Sequence, residues 1–195
     1  MISALAAGDG TDALDHDELR SMCVLMLFAG HETTTNLLAS MMLMLLRRPE
    51  RLATLRADPT AIRPAVEEAL RHDGPIKILH RWVTEDLEID GHAIRRGERV
   101  FLVLSAANRD PGAFDRPDDV DLARSPNVHL AFGKGPHACL GAQLSRIEAR
   151  VCFEQVLERM PEVRLLPDRP LEWTPTLAAR TLRTLHIETP RGEPT

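Results

Sequence analysis

In Phe132-Gly133-Lys134-Gly135-Pro136-His137-Ala138-Cys139-Leu140-Gly141, one cysteine stands where a glycine-rich loop runs into the start of a helix. The first amide N–H groups of a helix have no partner within it, and with the helix dipole they favour a thiolate. Gly133 and Gly135 allow turns closed to other residues and aim amides toward the sulfur. Gly141 removes a side chain beside it, so a flat group can approach closely. His137 adds a donor for an acidic group nearby. A lone thiolate with no second ligand is wrong for zinc and suits an axial position on haem iron. The competing reading is a capping loop with an inert buried cysteine. Against it, the six fixed residues of Phe-Gly-x-Gly-x-His-x-Cys-x-Gly arise by chance on the order of 10⁻⁸ per start from average composition.

Downstream, the pattern predicts a helix from about Leu140 to Met160, then short strands and turns over Val163–Glu188. Upstream, Asn108–Val128 is rich in Pro, Asp and Arg and reads as a long ordered meander. Val100–Leu104 and Ile76–Val83 read as strands. Between them Leu87–Ile89 and His92–Ile94 flank Asp90-Gly91, a hairpin signal. Asp73-Gly74-Pro75 ends a helix spanning about Ala61–His72, and a shorter helix follows Pro49 and stops near Asp58–Pro59.

The longest element comes first in the chain. Asp15 and Glu18 have the spacing of a capping box, and Pro49 forces a restart after Arg47-Arg48. Some thirty residues at 1.5 Å each make a helix roughly 45 Å long. Its sides are apolar nearly all round, from Leu19, Met22 and Val24 to Leu46, so burial inside something larger is expected. In its middle, Ala29-Gly30-His31-Glu32-Thr33-Thr34 brings in an acid and hydroxyls that are costly to bury unpaired. Thr33 can bond a carbonyl one turn back, and Gly30 weakens the helix, so a kink with a trapped water is expected. A polar stripe toward solvent is the other option.

Composition narrows the function classes. The 195 residues carry 24 Lys and Arg against 29 Asp and Glu, a formal net charge of -5, which argues against nucleic acid as the main partner. Aromatic residues make up 4% with no Tyr, so a base-stacking platform is not expected. Cys23, Cys139 and Cys152 are too few for a disulfide framework or a zinc site and fit a reducing cytoplasm. The apolar runs Met22–Gly30 and Leu37–Leu46 fall short of the ~18 residues of a membrane span. MISALAAGDG lacks the basic start and long apolar stretch of a signal peptide.

The cysteine loop resembles the haem-binding loop of the cytochrome P450 family, bacterial soluble type. The resemblance implies haem b (iron protoporphyrin IX) with Cys139 thiolate as axial ligand, a known ligation of that family. Phe132, Gly133 and Gly141 would shape the cofactor side of the loop. The segment Ala29–Thr34 is similar to the family's helix crossing the oxygen side of the haem. There, Glu32 and Thr33 would be the acid–alcohol pair that delivers protons, and Ala29 and Gly30 would leave room for O2. Arg81 and His137 match propionate donors. Glu68-Ala69-Leu70-Arg71 is a weak motif alone, since roughly one Glu-x-x-Arg is expected in a chain this long. A second match, Glu188 to Arg191, contains Pro190 and is discounted. Lying between the long helix and the cysteine loop, Glu68 and Arg71 look like the family's structural network holding the meander, where Asn108-Arg109-Asp110, Phe114, Asp121 and Arg124 also match. Lys134 stands where many members carry His and would keep a positive charge for Glu68.

A complete member of the family is roughly double this length. The expectation is therefore a single partial domain over residues 1–195. It would be the haem-binding half of a mainly α fold with small β-sheets (α+β), with the N-terminal half absent. The implied reaction inserts one oxygen atom from O2 into a small organic substrate, with electrons from a reductase or ferredoxin. Lys134, Arg146 and Arg150 are candidate contacts for an acidic electron donor, and Ile76–Leu79 and Leu177–Leu182 for substrate. The alternative is a truncated or split non-catalytic fragment that binds haem weakly or needs a partner chain.

Overall fold

Asp15 caps the long helix as its spacing predicts. Its carboxylate accepts from the N–H groups of Asp17 and Glu18 at 2.8 Å, and the Glu18 carboxylate accepts from Asp15 N–H at 2.9 Å. The computed structural model describes residues 2–6 and 13–189. Arg191, and with it the discounted second Glu-x-x-Arg match, lies outside them.

The helices are α1 (Ile2–Ala6), α2 (His16–Leu46), α3 (Pro49–Ala57), α4 (Ile62–Asp73), α5 (Leu104–Ala107) and α6 (Ala142–Arg159). The strands are β1 (Ile78–Trp82), β2 (Leu87–Ile89), β3 (His92–Ile94), β4 (Arg99–Val103), β5 (Arg164–Leu165) and β6 (Ile187–Glu188). All pairings are antiparallel and two-stranded: β1 with β4, β2 with β3, β5 with β6. The fold is thus mainly helical with small sheets. Asp90 and Gly91 both take positive φ, 49° and 79°, the geometry of the tight hairpin turn expected there. No helix among the described residues is long and apolar enough to cross a membrane.

Helix α2 departs from expectation. It is buried only from Asn36 onward, where Leu37, Met41, Met44 and Leu45 pack with Leu52, Leu55, Val66, Leu70 and Phe153 in one core. Its N-terminal half exposes Val24, Leu25, Phe28 and Leu27, the last at 76%. α3, α4 and α6 pack on this 31-residue rod, and its fully buried residues all lie in the C-terminal half. An apolar strip this long is more than a lone surface leucine and marks a contact face. Near Gly30 the helix runs on without interruption. The hydroxyls there turn inward, Thr33 Oγ1 donating to Ala29 O at 2.6 Å and Thr35 Oγ1 to His31 O at 2.8 Å.

Candidate functional site

The cysteine loop is held by its own backbone. Gly133 N–H donates to Leu130 O at 2.9 Å, Ala138 N–H to Gly135 O at 3.0 Å, and Cys139 N–H to Phe132 O at 2.9 Å. Gly133 and Gly135 sit at φ 68° and 81°, a region L side chains rarely enter, which is why glycine stands at both positions. The loop delivers Cys139 to the surface of a cavity with its thiol exposed rather than packed away.

That cavity measures about 660 Å³ and is walled mainly by apolar groups. Its size and make-up are those of a small-molecule or cofactor site. Ala29, Gly30 and Thr33 of α2 line it, as do Arg81 of β1 and Phe132, Gly133, His137, Cys139 and Gly141 of the cysteine loop. Residues more than a hundred positions apart in sequence thus converge on one space. Glu32 is the exception: it is exposed and does not line the cavity. Ala29, Gly30, Thr33 and Thr34 recur at the helical spacing that keeps them on one face of α2, and Glu32 falls outside that face.

Thr34, Ser145 and Glu148 also line the cavity and were not anticipated. Thr34 Oγ1 lies 3.5 Å from Ser145 Oγ. The signal for the α6 residues was available: Gly141, Leu144, Ser145 and Glu148 follow one face of a helix at spacings of three and four. Of the candidate substrate segments, Ile76 and Leu79 line the cavity, whereas nothing in Leu177–Leu182 does. Leu177 is exposed, and the segment instead docks its backbone on residues 75–78, Ala178 O accepting from Lys77 N–H at 2.8 Å.

Behind the cavity, Glu68 and Arg71 form a fully buried network. The Arg71 guanidinium spends all five N–H donors: Nε and Nη2 on Glu68 at 2.8 Å, and the rest on the carbonyls of Asn108, Pro117 and Asp119 at 2.7 to 2.9 Å. It also lies over the Phe114 ring at 5.3 Å. Glu68 further accepts from Asp121 N–H at 2.9 Å, Asn127 Nδ2 at 3.1 Å and Arg124 Nε at 3.2 Å. The buried Asn108 Oδ1 accepts from Leu130 N–H at 2.7 Å, which carries the network to the start of the cysteine loop. Burial pushes the Glu68 carboxyl up, but the bonds from Arg71 and Asp121 and the charges of Arg71 and Arg124 outweigh it and hold the group below its usual range.

One charge assignment is corrected by this geometry. Lys134 is exposed and is not among the partners of Glu68, whose lone pairs are already taken by Arg71, Arg124, Asn127 and Asp121. The basic cluster is also mostly neutralised. Arg146 is bound by Glu67 and Arg150 by Glu154, both at 2.7 Å, so of the three only Lys134 lacks an acidic partner among the described residues.

Comparison with known proteins decides the family: the Cytochrome P450 family model matches residues 1–65 and 60–170. The chain belongs to the cytochrome P450 family. It is 46% identical over 187 residues to a biotin biosynthesis cytochrome P450 of Bacillus subtilis strain 168, covering 96% of this chain and 47% of the relative. It is 42% identical over 196 residues to the cytochrome P450 monooxygenase PikC of Streptomyces venezuelae, covering 98% and 47%. The crystal structure of P450BioI in complex with hexadec-9Z-enoic acid ligated acyl carrier protein superposes with a TM-score of 0.91 at 44% identity, over 96% of this chain and 48% of that one. CYP109E1 from Bacillus megaterium in complex with testosterone gives 0.91 at 33% identity, over 96% and 52%. The chain spans about half the length of the curated P450 relatives it matches.

P450 membership implies a haem-thiolate cofactor, and the cavity fits one. It offers an exposed thiol, mainly apolar walls and two cationic or donor side chains, Arg81 and His137. A Cβ built at Gly30 or Gly141 would meet no protein atom within 4 Å, so the space beside both is open to a planar group.

Proposed function

We propose that this chain is the haem-binding half of a P450 monooxygenase that inserts one oxygen atom from O2 into a small organic substrate. The observation that carries the reading is the convergence of Cys139, Arg81, His137, Ala29, Gly30 and Thr33 on a single apolar cavity. Bound haem would supply the redox chemistry: with two electrons and two protons, one oxygen atom enters the substrate and the other leaves as water.

The residues have separable tasks. Cys139 would hold the haem iron through its thiolate, and the bond of its N–H to Phe132 O fixes its backbone at the cavity wall. Arg81 and His137 would bind the carboxylates of the cofactor; a guanidinium suits that task because it binds carboxylate through paired N–H groups. Ala29 and Gly30 keep the facing wall short, leaving room for O2. Thr33, its proton held on Ala29 O, presents its oxygen lone pairs to the cavity and can pass a proton by rotating. Glu32, on the outer face of α2, reloads that relay from solvent. Lys134 is the residue of the loop best placed to meet an acidic ferredoxin-type donor. Three free cysteines fit the reducing cytoplasm.

Reconstituting the chain with haem, reducing it and adding carbon monoxide tests the proposal. A red-shifted thiolate–CO Soret band is expected; a spectrum of unliganded or nonspecific haem sinks it. Thr33→Ala is expected to keep that band and, in any preparation that turns over, to lower product formation on the order of 10²-fold. A product yield equal to wild type would remove Thr33 from the relay.

A second reading is favoured by the exposed apolar face of α2: a split or truncated fragment that holds haem weakly until another chain covers Val24, Leu25, Leu27 and Phe28. A weak band that grows when the complementary half of a P450 is supplied would distinguish it.

A further inference from the structure

Glu67 neighbours Glu68 in sequence but faces the other way, toward α6. Its Oε1 accepts from Arg146 Nε at 2.7 Å, and its Oε2 accepts from Arg146 Nη2 at 2.9 Å and pairs with His129 Nε2 at 3.1 Å. His129 Nδ1 accepts from Ala131 N–H at 3.2 Å, so Nε2 carries the hydrogen and donates to Glu67. The His129 side chain is only 3% exposed. Phe132 lies between the two partners, with the Arg146 guanidinium over its ring at 4.6 Å and the His129 ring 6.1 Å away. The carbonyl of that same Phe132 holds Cys139 N–H.

We propose that Glu67 is the positioning residue of the cysteine loop: its one carboxylate clamps Arg146 and His129 about Phe132 and so fixes both the loop and a cation behind Cys139. The inference rests on the haem-thiolate reading for its purpose, but its geometry can be tested without haem. Burial pushes the Glu67 carboxyl up, yet the bonds and charges of His129 and Arg146 pull it down to about 2. The bond to Glu67 also raises the Arg146 guanidinium, against burial, and the charge of Cys139 raises it further. Side chains near one-third exposed gain little stability from an ion pair, so geometry is the larger effect of this one.

The test uses the full 195-residue chain. In Glu67→Gln, amide hydrogen exchange at Cys139 is expected to rise about tenfold. Exchange at Asp121 and Leu130, which Glu68 and Asn108 hold, is expected to stay as in wild type. Arg146→Gln should give the same result, and the double variant no more than either, because the two act as one unit. In the haem-loaded chain, Glu67→Gln should also shift the thiolate–CO band. Unchanged exchange at Cys139, an equal rise at Asp121 and Leu130, or an unshifted band each overturns the proposal. If Glu67→Gln does not fold, Arg146→Gln alone is read by the same criteria. If wild-type protein gives no thiolate–CO band, the haem reading fails while the exchange result still decides the clamp.

Discussion

Cys139→Ala is expected to abolish the thiolate–CO band of the haem-loaded chain and to weaken haem binding by more than about 100-fold, whereas Cys23→Ala and Cys152→Ala are expected to leave both intact. Loss of an outer partner of a metal ligand already costs 10- to 100-fold, and here the ligand itself is removed. The three cysteines differ in where the fold places them. Cys139 alone of them lines the cavity. Cys152 sits on α6 against the core, where burial pushes its thiol up and makes it a poorer thiolate. Cys23 lies in the first part of α2, away from the cavity lining. Absorption spectra of the three variants after reduction and carbon monoxide decide the matter. A band that survives in Cys139→Ala would end the assignment.

Glu68→Ala is expected to destabilise the chain by about 3–5 kcal/mol, the cost of stranding a buried charge by removing its partner. Against a typical total of roughly 5–15 kcal/mol, that brings a small domain close to unfolding. Arg71 would be left buried with two of its five donors unpaired, and Arg124, Asn127 and Asp121 N–H would lose an acceptor. Urea denaturation midpoints measure the loss. A change below about 0.5 kcal/mol, the range of an ordinary surface substitution, would mean the network is solvated rather than structural. The pH dependence has a definite sign. The Glu68 carboxyl is held below its ordinary value of 4.5, so its contribution is complete above that pH and drains away as pH falls through the lower folded value. Wild type should therefore lose its advantage over Glu68→Gln only on the acid side.

Some features needed only near neighbours in the chain, and these were legible from residue order. The capping box at Asp15 and Glu18, the turn at Asp90-Gly91 and the stop at Pro49 each depend on contacts within four residues. The bond from Thr33 to Ala29 O is of the same kind. The cysteine loop belongs with them, because its glycines and its cysteine lie within ten residues and its hydrogen bonds close on itself.

Other features were set by which segments pack together. The N-terminal half of α2 has the same apolar composition as its C-terminal half, yet one is exposed and the other buried, because the core side chains of α3, α4 and α6 gather on the second. Glu32 and Thr33 are adjacent in sequence, yet only Thr33 lines the cavity, since helix rotation is resolved only once the cavity side is known. Glu67 and Glu68 are chemically the same side chain. One closes a network with Arg71 and the meander and the other clamps Arg146 and His129, a division that depends on partners 53 to 79 positions away. Residue order alone determined the local turns, the caps and the cysteine-bearing loop, because their energies are paid and returned within a few residues. Tertiary structure decided which charges are buried, which are neutralised and which side chains share the cavity, because desolvation depends on what is packed nearby and not on what is adjacent in the chain.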